Sequence, residues 1–133
     1  MAIRDGIWYA ARVRGFKHPR IEDVPLELVF HALSDPVRLD IVRQLAATSE
    51  ASCHALNAGR PKSSMSHHFR VLRDAGLVRT RTQGTSHANA LRRGELDGRF
   101  PGLIDALLEA MATDDRANAE AAPLTDGRSA LLT

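Results

Sequence analysis

The 133-residue chain has one cysteine, Cys53, so an intrachain disulfide is excluded and a reducing, cytoplasmic setting is the expected compartment. It also lacks any apolar run near the roughly 20 residues that cross a bilayer, which argues against a membrane protein. The opening stretch MAIRDGIWYAARVRG sets acidic Asp5 among scattered arginines and has no continuous apolar segment, so it does not read as a secretory signal. Catalytic signatures are missing as well. In GRPKSS no glycine directly precedes Lys62, which breaks the phosphate-loop pattern. A G-x-S-x-G elbow, an H-E-x-x-H pair and a dinucleotide fingerprint are all absent. No enzyme is expected, and no cofactor.

What is present is the composition of a soluble globular protein, 44% hydrophobic and 26% charged, at a length suited to one domain with tails. The net charge of +2 is unevenly divided: residues 60–93 hold eight basic residues against Asp74 alone, a net of +7. Acidic segments flank it on both sides. Arginine and lysine concentrated beside Ser, Thr and Gln mark a face that binds a polyanion. A charge run is more often a solvated face, but here the interspersed acids of such a face are missing from the segment.

Residues 1–22 have no clear period and form an N-terminal arm; Ile7, Trp8 and Tyr9 either dock on the domain or leave the arm loose. In PLELVFHAL, Leu26, Val29, Phe30 and Leu33 recur at helical spacing. Ser34 or Asp35 can then cap a second helix, with Pro36 in its first turn and Val37, Ile41, Val42, Leu45 and Ala46 on its buried stripe. A short helical piece around 52–57 and a break at Gly59 precede KSSMSHHFRVLRDA, which ends at Gly76. That helix has an apolar face of Met65, Phe69 and Leu72 and a polar face of Ser63, Ser66, His67 and Arg70. Residues 77–82 alternate in period two, QGT makes a turn, and a return strand over 86–91 completes a basic hairpin. A last helix is expected from Phe100 to Ala112, then a flexible tail over 113–133.

This order, mostly α with a small β-hairpin, is that of a winged helix-turn-helix over 23–112. A DNA major groove admits one α-helix, small hydroxyl side chains allow close approach to base edges, and arginines hold phosphates. Lys62 sits at the helix N-terminus, where backbone N–H groups favour phosphate. The predicted contact residues are Lys62, Ser63, Ser64, Ser66, His67, Arg70 and Arg73 on the helix and Arg79, Arg81, Gln83 and Thr85 on the wing. LSDPVRLDIVRQLA (33–46) and KSSMSHHFRVLRDAGLV (62–78) resemble the two signature stretches of the ArsR/SmtB family of bacterial winged-helix transcriptional regulators. The resemblance runs from about Leu26 to Leu91. It implies a homodimeric repressor on a roughly twofold double-stranded operator, a dimer interface built from terminal helices, and release by a metal ion or another signal. The returning strand SHANAL departs from the family pattern in lacking aromatic residues.

No complete sensor site is legible. The family's thiolate sensors use a Cys-x-Cys pair, whereas EASCHAL offers Cys53 and His54, adjacent helical residues that point about 100° apart. Cys53 is expected to pack between helices, with a single-thiol redox or effector role for Cys53 and His54 as the alternative. Asp105 and Glu109 form an acidic i, i+4 pair with no histidine on their helix, too weak a set for a transition metal. No metal is expected. His18, His31 and His87 read as packing or surface residues. The neighbours His67 and His68 divide between faces, His67 outward toward DNA and His68 inward, where its ring nitrogen should find an acceptor. A winged helix that binds protein instead of DNA would be expected to carry an apolar or acidic face where Ser63, Ser66, His67 and Arg70 stand.

Overall fold

The computed structural model describes the backbone of residues 15–132 and the side chains of residues 15–119. After a 3-10 turn at Ile21–Asp23 come α1 (Leu26–Leu33), α2 (Pro36–Ala46), β1 (Ala51–Ser52), α3 (Cys53–Asn57), α4 (Lys62–Asp74), β2 (Val78–Gln83), β3 (Ser86–Leu91), α5 (Arg93–Arg99) and α6 (Leu103–Leu132). The expectations for Ile7, Trp8 and Tyr9 lie outside the described residues. The chain divides into two compact units between Arg99 and Phe100. Between α5 and α6 runs Phe100-Pro101-Gly102, with Gly102 at φ +81°.

Within the first unit, the helices start and stop where side-chain chemistry dictates. Asp35 is the cap of α2: its Oδ1 accepts from the Val37 and Arg38 backbone N–H groups at 2.8 and 3.2 Å. Ser34 instead closes α1, donating to the His31 carbonyl at 2.6 Å. The α4 helix ends in a Schellman arrangement, the Leu77 N–H reaching the Leu72 carbonyl and the Gly76 N–H the Arg73 carbonyl, both at 3.0 Å. Gly76 adopts φ +75° there, and a Cβ on it would lie 2.9 Å from Val24 Cγ2. Glycine is therefore required twice over, by conformation and by the close approach of the segment before α1.

The core is aliphatic. Val29 and Ala32 of α1, Ile41, Val42 and Leu45 of α2, Leu56 of α3, Met65, Phe69 and Leu72 of α4, and Leu77, Val78 and Leu96 are buried together. The sheet has order β1-β3-β2, antiparallel throughout, with Ala51 opposite Asn89 and Val78 opposite Leu91. The hairpin turns on Gly84-Thr85 between paired Gln83 and Ser86, with Gly84 at φ +63° as such tight turns need. Strand β1 and helix α5 were not foreseen, because a two-residue strand has no period to detect and the α5 sequence RGELDGR presents a single buried residue, Leu96.

In the second unit, the backbone is helical from Leu103 to Leu132, where a flexible tail without regular structure is expected from the sequence over 113–133. The expectation weighed the lack of a packing stripe. It underweighted the alanines at 117, 119, 121 and 122, since alanine has the highest intrinsic helix propensity. No helix among the described residues is long and apolar enough to cross a membrane.

Candidate nucleic-acid interface

Helix α4 is the centre of the site, and its two faces separate cleanly. Met65, Phe69 and Leu72 are at most 3% exposed, while Lys62, Ser63, Ser64, Ser66, His67 and Arg70 all stand in solvent. The helix is capped by Pro61 without a side-chain hydrogen bond, which leaves its first N–H groups pointing outward beside Lys62. Ser64 turns its hydroxyl back to donate to the Pro61 carbonyl at 2.9 Å. The exposed row is thus basic at both ends, Lys62 and Arg70, and hydroxyl-lined between them.

His68 departs from expectation in an instructive way. It is turned inward, but its Nδ1 lies 3.1 Å from Nη1 of Arg38, a donor, so the nitrogen accepts and the ring proton belongs on Nε2. Burial, the largest influence, lowers its pKa; Arg38 lowers it further, against the pull of Asp35 at 3.9 Å. Arg38 is 8% exposed and also donates to the Ala32 and His31 carbonyls at 2.6 and 3.5 Å, tying the end of α1 to α4. Sequence periodicity missed it because it flanks the apolar stripe of α2 and carries a charge.

The wing is attached through a polar network rather than the aromatic residues of the family pattern. Asn89, fully buried, donates from Nδ2 to the Ala51 carbonyl at 3.3 Å and to Cys53 Sγ at 3.2 Å. Its Oδ1 accepts from the Thr80 hydroxyl at 2.7 Å. The Thr80 N–H in turn donates to His18 Nε2 at 2.9 Å. Burial and then the surrounding arginines 79, 92 and 73 push the His18 pKa down from 6.5 to about 4, consistent with a neutral acceptor. The arm is therefore docked from Phe16 onward: the Phe16 ring meets His87 edge-on at 4.8 Å, and Pro19 accepts from Arg92 Nη1 at 2.8 Å.

This docking redistributes the predicted wing and helix cations. Arg73 lies over the Phe16 ring, 4.3 Å from its centroid, with Nη1 donating to Thr80 at 3.4 Å, half-buried instead of facing solvent with Arg70. Arg79 pairs with Glu95 at 2.9 Å, and Glu95 is held more firmly still by Arg92 at 2.7 Å, so that its carboxyl sits at about 2. Arg81 makes a two-pronged pair with Glu50, both contacts 2.9 Å. The acids absent from residues 60–93 thus arrive from elsewhere in the chain. Gln83 and Thr85 stand exposed at the wing tip.

Lys62, Ser66 and Thr85 line one cleft of about 270 Å³ together with Cys53 and His54, between α3, the start of α4 and the wing tip. Cys53 is half-buried with its sulfur against Asn89. No cluster of three or more His, Cys, Asp or Glu suited to a metal ion occurs among the described residues.

An exposed polar and basic helix on a helix-turn-helix frame, flanked by a two-stranded wing, defines a winged helix-turn-helix DNA-binding protein. A family model described as a helix-turn-helix domain matches residues 33–81. The chain is 35% identical over 82 residues to the uncharacterized HTH-type transcriptional regulator YceK of Bacillus subtilis strain 168, covering 59% of this chain and 82% of that one. It is 32% identical over 92 residues to the arsenical resistance operon repressor of Staphylococcus xylosus, covering 68% and 84%. The crystal structure of the transcriptional repressor BigR from Xylella fastidiosa superposes with a TM-score of 0.52 at 28% identity, over 64% of this chain and 84% of that one. The protein belongs to the ArsR family of winged helix-turn-helix transcriptional regulators.

Proposed function

We propose that the protein is a cytoplasmic, homodimeric repressor that binds a roughly twofold DNA operator and is not an enzyme. Residues 23–112 would form its DNA-binding and dimerisation domain. In this reading α4 enters the major groove with Lys62, Ser63, Ser66, His67 and Arg70 toward bases and phosphates, and the wing, through Arg81 and the Gln83–Thr85 tip, reaches the adjacent backbone or minor groove. The observation that carries it is the exposed row on α4, presented on a fully packed underside. Arg73 drops out of the contact set, because its guanidinium is engaged with Phe16 and Thr80. Ser64 contributes through its backbone N–H, its hydroxyl being turned to Pro61. Support for self-association comes from α1, where Leu26 and Phe30 are 42% and 53% exposed on a helix whose other side is core. DNA of the region upstream of the protein's own gene should be retarded in gel-shift assays, and sedimentation of the free protein should give twice the chain mass. A monomer that binds no such DNA contradicts the reading.

A further inference from the structure

The two wing arginines are neutralised differently. Glu95, which holds Arg79, is itself fixed by Arg92, whose side chain is only 3% exposed. Glu50, which holds Arg81, stands at the end of the loop before β1, with the two side chains 42% and 54% exposed. Arg81 Nε and Nη2 each donate to one Glu50 oxygen at 2.9 Å, the same planar fork with which a guanidinium grips phosphate. We infer that Glu50 is an internal competitor for the DNA backbone: it occupies Arg81 in the free protein, must be displaced when a phosphate takes its place, and so sets the affinity threshold of the wing. This rests on the DNA-binding reading above and names a residue that limits it.

The physics fixes the sign. An exposed pair of this kind is worth a factor of about two to five in an equilibrium constant, small enough for phosphate to replace. Competition from the Glu50 carboxylate leaves Arg81 only partly engaged with phosphate, so Arg81 displaces less of the counterion atmosphere than an unpaired guanidinium would. Removing the carboxylate should therefore tighten binding and steepen its salt dependence. If Glu50 instead served to hold Arg81 ready, removing it would weaken binding.

The test compares wild type, Glu50→Gln, Arg81→Ala and the double variant on one mixed-sequence DNA duplex across a salt series, with thermal melts confirming that each variant is folded. Glu50→Gln should bind about two- to fivefold tighter and add up to about one to the magnitude of the log–log salt slope, and in the Arg81→Ala background it should change neither. Weaker or unchanged binding by Glu50→Gln overturns the inference. So does a gain that persists without Arg81, which would mark general repulsion from one more negative charge. Wild type that fails to bind DNA at all defeats the underlying reading and the inference with it; wild type that binds while Glu50→Gln gains nothing defeats the inference alone.

Discussion

Replacing Gly76 by alanine separates two physical requirements that the fold places on one residue. At φ +75° an alanine backbone costs roughly 1–2 kcal/mol. Its Cβ would also lie 2.9 Å from Val24 Cγ2 and 3.2 Å from Ile21 Cδ1, both on buried side chains with little room to withdraw. Overpacking of this kind costs about 1–3 kcal/mol. Against these stands the smaller conformational freedom of alanine in the unfolded chain, worth about 0.5–1 kcal/mol. The net expectation is a loss of about 1–4.5 kcal/mol, measurable by urea denaturation followed by circular dichroism at unchanged m value. Gly84 is the internal control: its φ is +63°, but nothing lies within 4 Å of a Cβ placed there. Gly84→Ala should therefore show the backbone penalty with little else, a loss of no more than about 1.5 kcal/mol. Equal losses at the two positions would refute the claim that the segment before α1 is packed against the end of α4.

Further outcomes follow from the wing's attachment. Arg73→Ala should lower stability by about 1–2 kcal/mol, through loss of the Phe16 stack and the Thr80 contact, while changing DNA affinity far less than Arg70→Ala; a reversed order would put Arg73 back at the DNA. His18 has a folded-state pKa of about 4 against 6.5 free, so the unfolded chain takes up the proton first. Stability should decline as the pH falls from about 6.5 toward 4, and His18→Gln, which keeps an acceptor for the Thr80 N–H, should flatten that decline between pH 6.5 and 5; identical profiles would contradict the assignment. Cys53→Ser should leave any response of DNA binding to zinc or arsenite unchanged, since one thiol cannot close such a site; loss of a response would place a metal at Cys53.

Local periodicity made α1, α2, α4 and the hairpin legible, because each has one buried face and a capping or turn residue at its end. Asp35, Gly76 and Gly84 carry signals that act within a few residues. What escaped is what depends on partners far along the chain. Arg79 and Arg81 look unpaired in a segment of net +7 until Glu95 and Glu50 fold beside them. Asn89 and Thr80 read as ordinary polar strand residues, yet they bridge β1, β2 and the arm through buried hydrogen bonds. His68 was expected to meet an acceptor, and it meets the Arg38 guanidinium across thirty residues of sequence. Of the helix positions proposed for DNA, six stand exposed on α4, while Arg73 has turned to the arm. Phe16, within a stretch without period, is what draws it there.

The central claim is that α4 presents a cationic, groove-entering face. Its most direct measurement is the salt dependence of duplex binding by wild type and by Lys62→Ala and Arg70→Ala. The account predicts that affinity falls steeply and linearly on logarithmic axes between about 50 and 200 mM salt, with each substitution reducing the slope by about one while the protein stays folded. A flat salt response, or slopes unchanged by both substitutions, would contradict it.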